Sequence, residues 1–336
     1  MTLSQTLIYS IWQTRNIAAQ LLRPIASLFC LIVQIRCIAY RKGWSTSFRL
    51  PVPVIIIGNI SVGGTGKTPL VIWLSHHLQI QGWKPGILTR GYRGKATQWP
   101  QVVTPQSDPY QVGDEAVLLA RKCNCPVIAG PNRVIAGQML IQNYACNLII
   151  CDDGLQHYAL QRDIEIAVVD GQLRLGNGLC LPAGPLREPP QRLQKCNLVV
   201  INGYSTPEEF GMKLQTVHAI KLGDVTQIKP LTAFAGHEIT AIAGIGNPQR
   251  FFNMLETYGL RLHTRPFPDH HSFCTEDFID LIQNTILMTE KDVVKCERFL
   301  HDVDAWYVPV EAVLEPALMT TITQLTASLP ISTGSV

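Results

Sequence analysis

The stretch Ile57-Gly-Asn-Ile-Ser-Val-Gly-Gly-Thr-Gly-Lys-Thr-Pro69 joins an apolar run to a helical pattern. Its closely spaced glycines let successive backbone N–H groups point inward, and the positive end of the following helix adds to their field. Lys67 can reach the β- and γ-phosphates of a nucleotide, and the Thr68 hydroxyl can bind Mg²⁺. We therefore predict a triphosphate site formed by Ser61, Val62, Gly63, Gly64, Thr65, Gly66, Lys67 and Thr68.

This loop departs from the two usual phosphate-loop patterns. The Walker pattern requires glycine where this chain has Ser61, and a KGGxGK pattern requires lysine where it has Val62. The subclass of the loop therefore stays open. A glycine-rich turn that binds nothing is disfavoured because a strand, a helix and the Lys67-Thr68 pair flank it, and Pro69 falls in the first helical turn, where its missing N–H does no harm.

From Pro51 onward, short apolar runs alternate with helical patterns. The runs are continuous and rich in β-branched residues, which is typical of strands buried on both faces. Repeated strand–helix order predicts an α/β fold with a doubly wound, mostly parallel sheet and a site at the carboxyl ends of its strands. The predicted strands are 52–57, 86–89, 126–129, 147–150, 164–169 and 197–201, and the predicted helices are 70–81, 114–121 and 133–144.

A second block of strands and helices begins near Leu231. It predicts a smaller α/β lobe that closes on the nucleotide-binding domain. Its predicted elements are a strand at 239–244, helices at 249–258 and 275–284, and strands at 286–288 and 306–309. The chain is accordingly divided into an N-terminal helical segment (1–49), a phosphate-loop domain (50–230) and the smaller lobe (231–336).

An acidic strand end lies downstream of the phosphate loop. The run Leu148-Ile-Ile-Cys-Asp152-Asp153 ends in two carboxylates, which is the form of a Walker B segment that holds Mg²⁺ beside the loop. Adjacent aspartates point in different directions, so either one can meet the metal, and the alternative is a simple turn cap. The candidate metal ligands are Thr68, Asp152, Asp153 and Glu115.

Two separate polar motifs offer acid–base chemistry. Asp114 opens an apolar helix, where a carboxylate either caps the positive end of the helix or takes the proton of an acceptor hydroxyl. The run Phe267-Pro-Asp-His270-His271 places two histidines between aromatic residues. A histidine and Asp114 would form a general-base dyad if they met across the cleft. Otherwise the His270-His271 pair is an ordinary polar pair on the surface or in the core.

Several cationic and aromatic residues are weaker candidates for substrate contacts. Thr89-Arg-Gly-Tyr-Arg-Gly94 follows a predicted strand and either clamps phosphate or forms a plain basic turn, and a proline-rich stretch around Pro185 cannot be a helix or a central strand. The candidate substrate residues are Arg90, Tyr92, Arg133, His157 and Arg187.

Composition limits the class of protein and its partners. The chain has 336 residues, of which only 16% are charged, and a net charge of +3. This small excess predicts no nucleic-acid-binding surface. Ten cysteines are scattered without a CxxC pair, which indicates reduced thiols in the cytosol.

The first forty residues hold the main apolar concentration. The apolar run falls short of the ~20 uninterrupted residues of a clean membrane span, and no cleavage site of a signal peptide follows it. We predict a helix at the bilayer interface, and the alternative is a core helix packed on the next domain. The cations expected near anionic headgroups are Arg15, Arg23, Arg36, Arg41 and Lys42.

Taken together, these motifs resemble the tetraacyldisaccharide 4'-kinase family of the lipid A pathway in Gram-negative bacteria. They occur in one order over nearly the whole chain. The matching segments are Gly58 to Pro69, Thr89-Arg-Gly-Tyr92, Gly113-Asp-Glu-Ala116, Cys151-Asp-Asp-Gly-Leu-Gln-His157, Leu181-Pro-Ala-Gly-Pro-Leu-Arg-Glu188, Phe267-Pro-Asp-His270 and Met288-Thr-Glu-Lys-Asp292.

The resemblance implies a P-loop kinase that uses ATP and Mg²⁺ to phosphorylate the 4'-hydroxyl of a tetraacylated glucosamine disaccharide 1-phosphate, giving lipid IVA. It implies that Asp114 acts as the base, paired with His270, and that Asp152 and Asp153 form the Walker B pair, while Lys67 and Thr68 hold phosphates and metal. It places the enzyme at the cytoplasmic face of the inner membrane, peripheral or monotopic, as a monomer.

Two other classes of function remain as alternatives. A P-loop GTPase or metallochaperone-type switch would read guanine through an Asn/Thr-Lys-x-Asp tetrapeptide, but Thr289-Glu-Lys-Asp292 sets the lysine one place late and so favours adenine. A non-catalytic, membrane-tethered nucleotide sensor would need the phosphate loop and would leave Asp114 and His270 without a role. An assay that compares ATP with GTP separates the first alternative, and lipid-dependent release of ADP excludes the second.

Overall fold

The computed structural model describes residues 11–281, 284–300 and 303–330. The strands are β1 (Val54–Gly58), β2 (Pro85–Thr89), β3 (Gln101–Val103), β4 (Val127–Ala129), β5 (Leu148–Asp152), β6 (Ile164–Asp170), β7 (Leu198–Asn202), β8 (Phe210–Gln215), β9 (His218–Lys221), β10 (Asp224–Pro230), β11 (Glu238–Ala243), β12 (Arg261–Pro266), β13 (Thr285–Thr289), β14 (Ala305–Val308) and β15 (Glu311–Leu314). The α-helices are α1 (Ile17–Arg41), α2 (Lys67–Ile80), α3 (Pro109–Val112), α4 (Asp114–Lys122), α5 (Arg133–Tyr144), α6 (Pro248–Glu256), α7 (Glu290–Cys296) and α8 (Pro316–Ala327).

The larger lobe is built on a nine-stranded sheet with the strand order β15-β8-β7-β6-β1-β5-β2-β4-β3. The strands from β8 to β4 run parallel, and only the edge strands β15 and β3 are antiparallel to their neighbours. Each strand and helix predicted in this part of the chain coincides with an observed one. The predicted α/β class and mostly parallel sheet are therefore confirmed.

Side chains of the central strand β1 alternate between two hydrophobic layers, as the pleat of a strand requires. Ile55 and Ile57 are fully buried against α2, α4 and α8, whereas Val54 and Ile56 face the layer that α5 covers. Helices cover both faces of β1, so the functional residues that follow this strand lie at the carboxyl edge of the sheet, where the phosphate loop begins.

The smaller lobe is built on a six-stranded sheet with the order β10-β9-β14-β13-β11-β12. Strands β11 to β14 are parallel, and β9 and β10 are antiparallel additions at one edge. Phe252 of α6 and Trp306 of β14 lie in its core, which is separate from the core of the larger lobe. The segment that follows β11 brings this lobe against the phosphate loop. A Cβ atom added to Gly246 would lie 4.0 Å from the Gly64 backbone nitrogen, so the two backbones lie close together there.

The boundary predicted at residue 230 is wrong. Strands β9 and β10 already belong to the second sheet, and β15 returns to the first sheet, where it pairs with β8. Helix α8 then packs into the core of the larger lobe through Leu318 and Ile322. The smaller lobe is thus an insertion between β8 and β15. The prediction missed it because β10 is half-exposed or exposed along its whole length and carries no apolar run.

The helix predicted at 275–284 is also wrong. The chain there forms two short 3₁₀ turns, Thr275–Asp277 and Ile279–Leu281, and residues 282–283 lie outside the described residues. The Asp277 carboxylate accepts a hydrogen bond from the Cys274 N–H at 3.0 Å and so holds the first turn closed. Phe278 and Leu281 are drawn into one apolar cluster of the lobe, and this tertiary packing overrides the helical pattern.

Helix α1 begins at an N-cap in which the Asn16 side chain accepts a hydrogen bond from the Ala19 N–H at 2.9 Å. Only Ala19 and Ala26 of this helix are buried, while large apolar side chains such as Ile17 (81%) and Leu21 (75%) are exposed. This exposure argues against the alternative of a core helix. Its 25 residues, with a mean hydropathy of 1.8 over the most apolar window, are long and apolar enough to cross a membrane.

Candidate active site

The phosphate loop is shaped by glycine at its two tightest points. Gly63 and Gly66 have φ angles of +111° and +91°, in the region that L side chains rarely adopt. Gly66 is the N-cap of α2, and a Cβ there would lie 2.4 Å from Asn202 Nδ2. That amide donates a hydrogen bond to the Thr65 carbonyl at 3.0 Å, so the end of β7 fixes the curvature of the loop.

The proline-rich stretch, whose role the sequence left open, lies along the phosphate loop. The Val62 N–H donates to the Pro185 carbonyl at 2.8 Å, and the Arg187 N–H donates to the Ile60 carbonyl at 2.6 Å. Ser61 and Leu186 form an isolated antiparallel bridge between the two segments. The proline-rich stretch therefore acts as a short extra strand that stiffens the entry to the loop and brings the Arg187 side chain to the site.

Asp152 ends β5 and is paired in register with Ile57 of β1, so its side chain emerges beside the phosphate loop. It is buried, and within the described ranges its Oδ1 atom has no hydrogen-bond partner. Burial and the neighbouring Glu115 charge raise its pKa to about 7. A buried carboxylate oxygen without a donor is a position that a cation would satisfy.

Asp153 follows in a left-handed conformation, with φ of +49°, and turns towards the cations of the site. Its carboxylate lies 3.4 Å from Lys67 Nζ and 3.1 Å from Arg187 Nη1. Burial opposes its ionisation, but the charges of Lys67 and Arg187 outweigh burial and lower its pKa. The two adjacent aspartates therefore have different environments, and among the residues that the structure describes it is Asp153 that forms ion pairs with Lys67 and Arg187.

Asp114 and His270 meet across the cleft between the lobes. His270 Nδ1 lies 2.8 Å from Asp114 Oδ2, and both side chains are buried. His270 projects from a tight turn with φ of +59°, and the Tyr92 ring packs edge-on against it at a centroid distance of 5.3 Å. His271 instead contacts Asp277 at 2.9 Å. Burial would raise the pKa of Asp114, but the His270 hydrogen bond and the Lys291 charge outweigh it and lower the pKa to about 2.

Lys291 was not among the candidate residues, yet it lies in this site. Its ammonium is 3.0 Å from Glu115 Oε1, 3.4 Å from His270 Nε2 and 3.8 Å from Asp269 Oδ1. The sequence held one signal for it, the segment Met288-Thr-Glu-Lys-Asp292, in which Thr289 caps α7. The structure therefore adds a cation that touches both lobes.

The candidate substrate residues fall into separate places. Tyr92 lies with the Asp114–His270 pair and Arg187 with Asp153, as described above. Arg133 is buried, and its guanidinium donates a hydrogen bond to the Asp152 backbone carbonyl at 3.2 Å. It therefore stabilises the backbone that carries the two aspartates. Burial, with the charges of Arg133, Arg162, Arg36 and Arg90, lowers the pKa of His157 to about 4. Arg36, one of these four cations, belongs to α1.

The acidic side chains do not form a closed metal cage. Within residues 11–281, 284–300 and 303–330, no group of three or more His, Cys, Asp or Glu side chains is arranged to hold a metal ion. An open arrangement around Asp152, Asp153 and the half-buried Thr68 fits Mg²⁺, because this ion usually takes one or two carboxylates and completes its shell with phosphates and water.

Because the Lys67 loop and the Asp152 strand end share one edge of the sheet, and a carboxylate–imidazole pair faces them from the cleft, the molecule is of the P-loop kinase class. The model of the tetraacyldisaccharide-1-P 4'-kinase family, LpxK, matches residues 18–327. The chain belongs to this family. The resemblance and the enzyme class inferred from the sequence are thereby confirmed.

Individual relatives agree with this assignment. A tetraacyldisaccharide 4'-kinase from Nitrosococcus oceani is 50% identical over 309 residues, which cover 92% of this chain and 91% of the relative. One from Actinobacillus pleuropneumoniae serotype 5b is 49% identical over 311 residues, covering 91% and 95%. A crystal structure of LpxK from Aquifex aeolicus in complex with ATP has a TM-score of 0.74 and 27% identity, covering 92% of this chain and 99% of that one.

Proposed function

We propose that this chain, with Mg²⁺, transfers the γ-phosphoryl group of ATP to the 4'-hydroxyl of a tetraacylated glucosamine disaccharide 1-phosphate, giving lipid IVA. The observation that carries the proposal is the contact between Asp114 and His270 in the cleft that the phosphate loop faces, which supports a role for Asp114 as proton acceptor. A nucleotide-binding protein without a transfer reaction has no use for that pair.

The nucleotide's phosphates would lie against the backbone N–H groups of the loop, with Lys67 and Thr68 at its end. Asp152, Asp153 and Thr68 would hold Mg²⁺, with Glu115 close to Asp152, as the raised pKa of Asp152 indicates. The metal, when bound, neutralises the charge on the phosphates. Arg187 and Lys67 already share Asp153, so two cations are held at the place where negative charge develops.

Asp114 would accept the proton of the 4'-hydroxyl as its oxygen bonds to the γ-phosphorus and ADP leaves. A pKa of about 2 keeps Asp114 ionised at neutral pH, and His270 fixes the direction of the carboxylate. Closure of the two lobes over this pair would exclude the water that would otherwise hydrolyse ATP.

The lipid acceptor would approach from the side of α1. The exposed apolar face of α1 supports contact with the inner-membrane surface, and Arg36, Arg90 and His157 form a polar region beside it. A cavity of about 380 Å³ at the end of α1 is lined by Tyr40, Arg41, Tyr158 and Lys195 among others, a mixture of aromatic and cationic groups suited to the headgroup layer. We propose a monomer on the cytoplasmic face, peripheral or monotopic.

No observation favours a guanine-reading switch. Asp292, the acid of the Thr289-Glu-Lys-Asp292 tetrapeptide, is fully buried and accepts a hydrogen bond from the Gly244 N–H at 2.8 Å. Lys295 pairs with the same carboxylate at 2.8 Å. The tetrapeptide therefore holds the smaller lobe together rather than presenting a carboxylate to a base.

The test is incubation of the purified chain with ATP labelled in the γ-phosphate and the disaccharide lipid in detergent. We expect the label to move to the lipid with ATP and not with GTP.

Asp114→Asn should abolish transfer while ATP binding is kept, and Glu208→Gln, at an exposed position, should match the wild type. Transfer at a near-normal rate by Asp114→Asn would contradict the base assignment, and no transfer by the wild type would contradict the function.

A further inference from the structure

We propose that Lys291 is a positioning residue of this site: it holds His270 in the neutral tautomer that carries its proton on Nδ1, and it ties Glu115 of the larger lobe to the smaller lobe. The proposal deepens the function given above and rests on it for its catalytic consequence. Its structural part stands on the contacts of one ammonium group.

Lys291 is the second residue of α7, and its side chain is only 19% exposed. Two carboxylates stabilise its ammonium, that of Glu115 at 3.0 Å and that of Asp269 at 3.8 Å. The group is therefore charged and can only donate hydrogen bonds.

The contact between Lys291 Nζ and His270 Nε2, at 3.4 Å, decides which nitrogen of the ring carries the proton. A donor-only ammonium faces Nε2, so Nε2 presents its lone pair. The proton then lies on Nδ1, which donates to Asp114 at 2.8 Å. The Asp269 carboxylate also faces Nε2, but its Oδ2 atom lies 3.6 Å away, beyond hydrogen-bond distance and further than the ammonium. A doubly protonated ring would therefore point an N–H at the ammonium, and the opposite tautomer would leave Nδ1 and the Asp114 carboxylate as two acceptors in contact.

The same ammonium couples the two halves of the site. Glu115 follows Asp114 at the start of α4, and its charge acts on Asp152. Lys291 therefore connects the acid–base pair to the acidic strand end, and it does so from the opposite lobe. Other ion pairs between α4 and the region of α7, Lys122 with Glu290 at 2.9 Å and Arg121 with Glu297, lie further along α4. They are not among the contacts of His270.

These flanking pairs supply a matched control. Lys291→Met and Lys122→Met each remove one ammonium from the contact between α4 and α7, but only the first removes the partner of His270 Nε2. Lys291→Arg keeps a donor-only cation at the position. If Lys291 only clamps the lobes, both methionine variants should lose kcat equally. If it positions His270, only Lys291→Met should change the tautomer of the ring and lower kcat.

The measurement is ¹⁵N NMR of the full chain with ¹⁵N-labelled histidine, with the His270 signals assigned by comparison with His270→Gln. We expect a protonated Nδ1 and an unprotonated Nε2 in the wild type and in Lys122→Met, and a mixture of tautomers in Lys291→Met. In the lipid kinase assay, kcat of Lys291→Met should fall roughly 10- to 100-fold, with the KM for ATP within about twofold of wild type. Lys291→Arg should restore part of the loss.

A protonated Nε2 in the wild type would overturn the proposal. So would wild-type tautomer and kcat in Lys291→Met, or equal losses in the two methionine variants. If Lys291→Met does not fold, the wild-type and Lys291→Arg spectra decide between the tautomers. The spectra need no turnover, so a wild type that transfers no phosphate would contradict the proposed function and leave the tautomer assignment standing.

Discussion

The ammonium of Lys67 lies 3.4 Å from the carboxylate of Asp153, at the junction of the phosphate loop and the acidic strand end. Arg187 approaches the other oxygen of the same carboxylate at 3.1 Å. One carboxylate thus directs two cations towards the place where a nucleotide's terminal phosphates would lie. Preorganisation of this kind lowers the cost of arranging charge during the reaction.

Removal of the Lys67 ammonium should therefore impair phosphoryl transfer more than folding. We expect Lys67→Ala to lower kcat on the order of 10²- to 10³-fold, because its charge opposes the negative charge that develops on the transferred group. The labelled-ATP transfer assay measures this, and Lys84→Ala, at an exposed position, is the control. Activity of Lys67→Ala close to that of the control would show that the loop does not bind the reacting phosphates.

The Asp152 carboxylate should lower the free energy of unfolding, although we expect the reaction to require it. Because its pKa is raised to about 7 from 3.8, the folded chain keeps a proton that the unfolded chain loses. The free energy of unfolding contributed by this group therefore falls as the pH rises from about 4 to about 7. We expect the free energy of unfolding of Asp152→Asn to exceed that of the wild type by up to about 4 kcal/mol at alkaline pH, and we expect the variant to lose transfer activity.

Urea unfolding at a series of pH values measures this effect. The difference between Asp152→Asn and wild type should grow through the window from about pH 4 to pH 7 and stay constant above it. A difference that does not change with pH would mean that Asp152 is ionised in the folded chain throughout.

Gly66 and Gly64 form a matched pair for testing the shape of the phosphate loop. A Cβ on Gly66 would sit at a φ of +91° and meet the Asn202 side chain, whereas a Cβ on Gly64 meets open space. We expect Gly66→Ala to lower the free energy of unfolding by about 1–3 kcal/mol. Gly64→Ala should stay within about 0.5 kcal/mol of wild type in the same thermal or urea unfolding experiment. Equal stability of the two variants would contradict the strained cap.

Helix α1 should bind lipid through its exposed apolar side chains. We expect the triple variant Leu21→Gln, Leu28→Gln and Ile32→Gln to lose vesicle binding roughly 100-fold or more, because each apolar side chain contributes about 1.5–3 kcal/mol when it leaves water. Flotation with phospholipid vesicles measures this. Ile80→Gln replaces an even more exposed apolar residue outside α1 and should leave binding unchanged. Retained binding by the triple variant would place the membrane contact elsewhere.

Sequence patterns predicted the centre of the fold well because its strands are buried on both faces. Val54–Gly58 and Leu148–Asp152 are buried at every position, and such runs stand out in the sequence. Strand β8 (Phe210–Gln215) and its neighbour at the sheet edge, β15 (Glu311–Leu314), are partly exposed and carry polar residues, so their pattern did not distinguish them from loops. Their pairing depends on neighbours that are remote in the sequence.

The residues of the site also differ in how far the sequence could predict them. The phosphate loop and the acidic strand end are local motifs, and their residues could be identified one by one. The contact between Asp114 and His270 joins residues far apart in the chain, and the residues alone left open whether they meet. Lys291 was not identified although its segment, Met288 to Asp292, was among those that resemble the family, because a single lysine at the start of a helix looks like an ordinary surface residue until its partners are known.

The insertion of the smaller lobe between β8 and β15 leaves its chain joined to the larger lobe by two tethers, residues 216–217 after β8 and residues 309–310 before β15, and these two strands are neighbours in the larger sheet. A single proteolytic cut in either tether would leave the other intact. Because the two tethers lie side by side, the rest of the cleft, including the contact between Asp114 and His270, is held by side-chain contacts between the lobes rather than by the chain itself.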